Sequence, residues 1–340
     1  MLLAMARPAL PARAHLPLLL LIAALSAHPA AAQEVTPPVP ADGGPIEVQV
    51  SIFVTDVLRI LDADQSVEAD VFLRIQWLDE RLAVEGAGTR TLSLDSLWHP
   101  YLQPLSPRNL SELLPRVVVV DPQGHVTYTR RLVGRFGMPT NLRDFPFDRH
   151  DLSLRFAAVN QLQAKMELVA GPIAGKSETL SVPDWTLSSG RLDLTPLTIS
   201  AALPTVPAAA FVMEAERNTA HYLTKIILPL IVIVMISWTV FWAPPPQIAV
   251  QFGFAATSIL TVIAYRFALA SQLPPVPYST RLDDFLNGAF LLVALALVEV
   301  IVTAQLIYKE RVGRALKVDV VCRVAFPVLL LLIAGYSFLL

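Results

Sequence analysis

The sequence predicts a two-part protein: an extracellular β-sandwich of immunoglobulin-like topology, followed by a four-helix transmembrane domain. Three observations support this fold class. The carboxyl-terminal part contains apolar stretches long enough to cross a bilayer. The preceding part alternates apolar and polar residues with period two, between frequent turn residues. A short leader precedes both. The hydrophobic content of 54% is therefore an average over two unlike halves.

The first 32 residues have the layout of a secretory signal peptide. Arg7 and Arg13 precede an apolar run at 16–25, and three alanines follow at 30–32. The run is short for a hydrocarbon core of ~30 Å, which needs about 20 helical residues, so a retained membrane span is the weaker alternative. We expect cleavage near Ala32 and a mature amino terminus outside the inner membrane.

Residues 33–219 are predicted to form the sandwich. The alternation that indicates strands occurs at 46–54, 67–78, 116–120, 125–133, 152–156 and 211–216. The sequence DPQG at 121–124 predicts a hairpin turn between two of them. Short strands with little helical periodicity are typical of two packed sheets. Because no Gly, Ser or Pro linker follows, the last strand is expected to continue directly into the first membrane span.

Four spans are predicted in the domain that begins at residue 220, at about 221–242, 247–273, 282–308 and 320–340. The loop at 309–317 carries four basic residues, which places it in the cytoplasm under the positive-inside rule. Both the sandwich and the carboxyl terminus then face outward. Four crossings return the chain to its starting side, in agreement with the signal peptide.

The second span carries a narrow stripe of small, polar and bulky apolar residues within roughly 80° on a helical wheel. The stripe consists of Gly253, Thr257, Leu260, Ala264, Phe267 and Ser271. Hydrocarbon cannot hydrogen-bond the hydroxyl groups, whereas several copies around an axis would enclose a wet lumen. A pore-lining helix is therefore predicted. The alternative is a dry helix contact through small residues within one subunit.

Recognisable catalytic and metal-binding motifs are missing from the sequence. The six histidines show no metal-ligand spacing, and no GxSxG, HExxH or Walker-type motif occurs. The single cysteine, Cys322, excludes an intrachain disulfide. We therefore expect no enzyme activity, no metal site and no cofactor. A periplasmic enzyme on a membrane tether has no supporting motif.

Several motifs resemble those of the pentameric ligand-gated ion channel (Cys-loop receptor) superfamily, most of all its ELIC-type bacterial members. In the sandwich they are WLD at 77–79, WHP at 98–100 and DFPFDR at 144–149. In the membrane part they are the segments 228–233, 237–242, 273–278, 297–300 and 322–327. The resemblance covers nearly the whole mature chain and is specific because so many motifs occur in their expected context. No cysteines flank the FPFD motif, as in other bacterial members.

The resemblance implies a receptor and ion channel in the bacterial inner (cell) membrane, built as a homopentamer with the second span lining the pore. Ligand sites are implied between neighbouring sandwiches. The expected partners are other copies of the chain, membrane lipid, permeating ions and an unidentified small-molecule agonist, with no nucleic acid and no cofactor.

The resemblance also implies that the FPFD loop rests on the linker between the second and third spans. The implied coupling residues are Phe147, Asp148, Arg217, Pro274, Pro277 and Tyr278. Asp148 and Arg217 are candidates for a buried or half-buried ion pair, whose rupture would leave a costly unpaired charge. The alternative is a pair of solvated rim charges that contribute little.

Leu260 and Phe267 are the predicted gate, because rings of apolar side chains can close a pore by dewetting. Cation-conducting relatives carry an acidic ring at the inner mouth, but residues 244–250 have no charge. Residues 33–219 contain 23 acidic and 16 basic residues, a net of minus 7, which would enrich cations outside. We therefore favour cations slightly over anions. Glu299 lies mid-membrane, where charges are often functional; a polar helix contact is the alternative.

The ligand site departs most from the family pattern. An aromatic box with acids binds amines in ELIC-type members, because cations bind aromatic faces. The candidate ligand residues here are Phe72, Trp98, Tyr101, Gln103 and Arg155. The segment 156–160 reads FAAVN where the family pattern has an acid and an aromatic, and the capping loop at 196–210 has no aromatic residue. An amine agonist is therefore disfavoured, and core or surface roles are the alternative for these residues.

Two other functions stay open from the sequence. One is a non-conducting, membrane-anchored sensory or binding module, and the other is an anion-selective channel of the same fold.

Overall fold

The computed structural model describes residues 36–158, 165–198, 205–244, 247–270 and 275–339. A strand-rich domain of two sheets precedes four helices that are long and apolar enough to cross a membrane. The predicted fold class, a β-sandwich followed by a four-helix membrane domain, is confirmed. The predicted signal peptide at 1–32 lies outside the described residues.

Twelve strands form the sandwich among the described residues. In chain order they are β1 (Ile46–Leu61), β2 (Ser66–Leu78), β3 (Arg90–Ser93), β4 (Leu102–Pro104), β5 (Pro107–Glu112), β6 (Val117–Val120), β7 (His125–Gly137), β8 (Arg149–Ala158), β9 (Met166–Lys176), β10 (Trp185–Leu187), β11 (Arg191–Asp193) and β12 (Ala208–Arg217).

The strands divide into a seven-stranded and a five-stranded sheet. The first has the order β3-β6-β7-β2-β1-β9, with β5 added to β7, and the second has the order β10-β12-β8-β4, with β11 added to β12. Alternate residues of β1 are buried, as the period of a strand requires. Ile52 and Leu73 from one sheet and Leu154 and Phe211 from the other lie in the same fully buried core.

All six predicted strands are present, most of them longer than predicted. Six further strands were missed because their sequences lack clear alternation. β9 contains Gly171, Pro172 and Gly175, which weaken any strand prediction, and it pairs in parallel with β1, far away in the chain. β4, β10 and β11 have three residues each, too few to establish a period.

The four membrane helices are α1 (Ala220–Trp242), α2 (Ile248–Ala270), α3 (Arg281–Tyr308) and α4 (Val312–Leu339). The fourth begins at Val312, well before the predicted start of that span at residue 320. Much of the basic segment predicted as a loop is therefore helical, because its Arg, Ala, Leu and Lys residues favour helix and it contains no proline. The first apolar residue of a span does not mark the start of its helix.

The helices pack around an apolar core that also includes part of the sandwich. Leu142 and Phe145, from the FPFD loop, belong to the same buried cluster as Leu230, Phe285 and the other core residues of the helices. Helix α3 starts with a capping box, in which the Thr280 hydroxyl accepts from the Asp283 N–H at 3.1 Å and the Thr280 N–H donates back to Asp283 at 3.0 Å.

Candidate functional site

One face of α2 packs against the other helices of the same chain. Its buried residues are Gln251, Ala255, Ser258, Val262 and Leu269. The Gln251 side chain donates to the backbone oxygen of Ala243 at 3.0 Å, which ties the start of α2 to the end of α1. The buried face fixes the rotation of α2 about its own axis.

The opposite face of α2 is exposed in the part of the chain that the structure describes. It presents the predicted stripe residues Gly253, Thr257, Leu260, Ala264 and Phe267, all of them exposed. Leu260 is 65% exposed and Phe267 is 77% exposed. Ser271 lies outside the described residues. Among the described residues, these five side chains therefore point away from the other helices of the chain.

A cluster of charged residues lies where the sandwich meets the helices, and we call it the junction cluster: Asp62, Asp148, His150 and Arg217. Arg217 donates to both carboxylate oxygens of Asp148, at 2.7 and 2.9 Å, and to Asp62 at 2.8 Å. The ring Nε2 of His150 lies 2.6 Å from Asp148. The side chains of Arg217 and Asp148 are only 3% and 1% exposed. The pair predicted from sequence is therefore formed and buried.

Aromatic rings surround the guanidinium group of Arg217. It lies 4.2 Å from the ring centre of Trp185, 4.8 Å from that of Phe145 and 5.8 Å from that of Tyr222. The Tyr222 hydroxyl lies 3.3 Å from Nη1 of Arg217. Because the rings come from the sandwich, the FPFD loop and α1, Arg217 joins three parts of the chain.

The junction cluster shifts the ionisation of its own members. Burial alone would raise the pKa of Asp148, but hydrogen bonds from His150 and Arg217 outweigh it and lower the pKa to about 2. Burial raises the pKa of Asp62, even though Arg217 acts against it. Burial would lower the pKa of Arg217, yet its bonds to Asp148 and the charge of Asp62 raise it. Arg217 and Asp148 thus stay charged at physiological pH.

The FPFD loop contacts the start of α3 through its backbone and side chains. The N–H groups of Arg281 and Leu282 donate to the carbonyls of Arg143 and Phe145, at 2.9 and 3.2 Å. Arg281 also donates to Asp144 at 2.8 Å. These bonds hold the loop at the helix terminus.

Some of the other predicted coupling residues lie at the same contact between the FPFD loop and the helices. The Phe147 ring lies 5.6 Å from that of Phe338, near the end of α4. The Tyr278 hydroxyl accepts a hydrogen bond of 2.9 Å from the Leu142 N–H. Pro277 is exposed, and Pro274 lies outside the described residues. A role of these residues in transmitting a signal stays a prediction.

The candidate ligand residues do not come together within one chain. Phe72 lies on β2 under the guanidinium of Arg131, at 5.4 Å. Trp98 is 9% exposed and packs edge-on against Trp77 in the sandwich core, at 6.2 Å. Trp98 therefore has the core position named as its alternative.

The other three candidates lie at two separate concavities. Tyr101 and Gln103 line a cavity of about 50 Å³, far below the ~300 Å³ at which ligand pockets begin. Arg155 lies at a second concavity of about 270 Å³ with Asp193 and Thr195. A shared site would need surfaces from two subunits.

Sequence reasoning missed Asp62, His150, Trp185 and Tyr222 at the junction. His150 had a usable signal, because it lies at the start of β8, two residues after Asp148, and residues two apart in an extended chain point to the same side. Asp62 had none, since it is 155 residues from Arg217 in the chain.

Comparison with protein families agrees with this architecture. Residues 31–194 match the neurotransmitter-gated ion-channel ligand binding domain, and residues 226–313 match the neurotransmitter-gated ion-channel transmembrane region. The two matches cover most of the chain and divide it between sandwich and helices.

Two known proteins are similar in sequence to this chain. A proton-gated ion channel of Gloeobacter violaceus is 25% identical over 304 residues, which is 88% of this chain and 84% of that protein. The gamma-aminobutyric acid receptor subunit alpha-4 of Rattus norvegicus is 26% identical over 274 residues, 76% of this chain. The alignment spans about half, 49%, of that subunit. The chain is an integral membrane protein that belongs to the neurotransmitter-gated (pentameric Cys-loop) ion-channel family.

Proposed function

We propose that five copies of this chain assemble around an axis into a ligand-gated ion channel of the bacterial inner membrane, with α2 lining the pore. The observation that carries the proposal is the free face of α2. Its small and hydroxyl-bearing residues are exposed among the described residues, while the opposite face is buried.

A free face of this composition suits water better than lipid. Thr257 would lose its outward hydrogen-bonding capacity against hydrocarbon but keep it in a hydrated lumen. Leu260 and Phe267, one above the other on the stripe, would form apolar rings that close the pore by dewetting. The exposed flanks Phe252 and Phe254, 49% and 51% exposed, would contact neighbouring subunits or lipid.

The orientation of the chain follows from its charges. The sandwich contacts α3 at Arg281, so the turn at 309–311 lies at the far end of the helices. Together with the following turn of α4, that end carries four basic residues, as expected for a cytoplasmic end. We therefore place the sandwich outside, in the periplasm.

The ion selectivity and the agonist of the channel are part of the same proposal, in less detail. The net charge of minus 7 over residues 33–219 supports cations over anions. Because Phe72 and Arg155 lie on different sheets, an agonist is expected between two subunits. The proton-gated relative makes acidification a signal to test beside small molecules.

The test is current through reconstituted protein in a planar bilayer, with small-molecule and pH steps on the sandwich side. We expect Leu260→Ala to leak or to open at a lower stimulus than wild type. The matched control is Leu291→Ala, a leucine of α3 that is 59% exposed but outside the stripe, and it should behave as wild type. Equal effects of both substitutions, or none, would remove Leu260 from the gate.

A second experiment addresses the lumen itself. After Cys322→Ser removes the native thiol, Thr257→Cys and Ala264→Cys should let a water-soluble thiol reagent block the current, whereas Leu291→Cys should not. Reversal potentials in a salt gradient then separate cation from anion conduction. If folded pentamers give no current under any condition, a non-conducting sensory module becomes the better-supported function. The contact between the sandwich and the helices would serve such a module equally well.

A further inference from the structure

Two carboxyl groups are buried together between α3 and α4. Asp319 is fully buried and Glu299 is 9% exposed. Glu299 lies on α3 and Asp319 on α4, two helices that pack against each other, and the two side chains are close enough to interact. Both oxygens of Asp319 and Oε1 of Glu299 are buried without a hydrogen-bond partner among the described residues. Three carboxylate oxygens of the two acids thus lack a donor among the described residues.

The basic group that acts on Asp319, Arg323, forms no ion pair with either acid among the described residues. Arg323, one turn beyond Asp319, donates through Nε to the Phe241 carbonyl at 2.9 Å, and its guanidinium lies 4.7 Å from the ring centre of Trp242. Both partners belong to α1, so the guanidinium group of Arg323 is held against α1. Cys322 is the other titratable group near the two acids.

The remaining helices supply no other charge at this depth. Helix α1 has His221 and Lys225 only in its first two turns, at the sandwich end, and α2 has Arg266 near the same end. Glu299 lies nine residues, about 14 Å, before the far end of α3 at a rise of about 1.5 Å per residue. The acids are therefore inside the membrane-spanning region, away from the sandwich.

We propose that Glu299 and Asp319 form a proton-binding site, in which a proton is shared between the two carboxyl groups. Two adjacent carboxylates cannot both stay ionised in a site of low dielectric. A bound proton removes one charge and also supplies the missing O–H donor to an unpartnered oxygen. One ligand thus meets both needs of the site.

The shared proton acts as a bond between α3 and α4. Its loss leaves two negative charges facing each other across the contact of the helices, and α4 has few other buried residues to hold it. Because the folded pair holds a proton that the unfolded chain releases at neutral pH, stability should fall as pH rises. The inference does not depend on conduction and stands or fails separately from the proposed channel function.

Infrared spectroscopy of the purified full-length protein tests the site directly. At neutral pH the wild type should show the carbonyl-stretching band of a protonated carboxylic acid. Glu299→Gln and Asp319→Asn should each lose it, because the amide supplies the donor that the proton supplied. Glu310→Gln, which changes an exposed acid at the turn between α3 and α4, is the matched control and should keep the band.

Thermal unfolding gives a second measurement on the same proteins. The wild-type Tm should drop between neutral and alkaline pH, and this drop should vanish in Glu299→Gln and Asp319→Asn but persist in Glu310→Gln. Absence of the band in folded wild type would mean that both acids are ionised, and a band unchanged in either variant would place the proton elsewhere. Each result overturns the proposal; if one variant does not fold, the wild type and the other variant decide.

Discussion

Replacing Asp148 by Asn should destabilise the junction by about 2 kcal/mol. The junction cluster lowers the pKa of Asp148 from 3.8 to about 2, and each unit corresponds to about 1.4 kcal/mol of differential stabilisation. Solvent screening takes little from this value, because the side chain is only 1% exposed. Loss of a partner from a buried pair can cost about 3–5 kcal/mol, but Arg217 keeps Asp62, so we expect the lower value.

Tryptophan fluorescence during thermal unfolding is the assay, since Trp185 lies 4.2 Å from Arg217 and reports on the junction. At about 2–4 °C per kcal/mol for domains of this size, Tm should fall by about 4–8 °C. The matched control is Asp144→Asn in the same loop, whose carboxylate is 59% exposed and pairs with Arg281. Exposed pairs contribute about 0–1 kcal/mol, so its Tm should barely move. Equal shifts in both variants would refute the reasoning from burial.

Three further predictions concern the sandwich. Gly134→Ala should cost more than about 1 kcal/mol in a denaturant titration, because φ is 144° and the new Cβ would collide with the backbone oxygen of Asn109. A neutral result would show that the backbone adjusts freely. Burial, and to a smaller extent the hydrogen bond to Glu112, raise the pKa of Tyr128 to about 12. Glu112→Gln should therefore let the phenol ionise at a lower pH in an ultraviolet titration. An unchanged titration midpoint would exclude that hydrogen bond as a cause. Because the pKa of Asp148 is lowered in the fold, this carboxylate stabilises the protein at pH values above 3.8, the ordinary pKa of an aspartate. As pH falls from about 4 to 2, the wild type should therefore lose about 2 kcal/mol more stability than Asp148→Asn. Parallel acid-unfolding profiles of the two proteins would contradict this sign.

The sequence was sufficient where a local period or a local motif carries the information. The stripe on α2 was found because Thr257, Leu260 and Ala264 repeat at helical spacing, and their exposure in the structure follows from that spacing. The pairing of Asp148 with Arg217 was inferred from family motifs and is formed in the structure. In both cases each residue has a fixed position within its element.

The parts that the sequence could not predict depend on long-range packing. Asp62 reaches Arg217 only because β1 and β12 end at the same place, which no local pattern encodes. The carboxyl group of Asp319 meets Glu299 across two helices, and Asp319 lies just before the span predicted at 320–340 although it is within helix α4. The candidate ligand residues were chosen by motif position, and Trp98 shows the limit of that choice, since its ring fills the core.

The shared core of the FPFD loop and the helices bears on how this chain can be divided. Leu142 and Phe145 are 1% and 2% exposed only while the helices cover them. A sandwich expressed alone, ending near residue 219, would bare both side chains and strip Arg217 of Tyr222. Such a fragment should aggregate readily and be unstable in solution. Exchange of whole sandwiches between family members should succeed only when the loop at 142–148 stays with the helices that bury it.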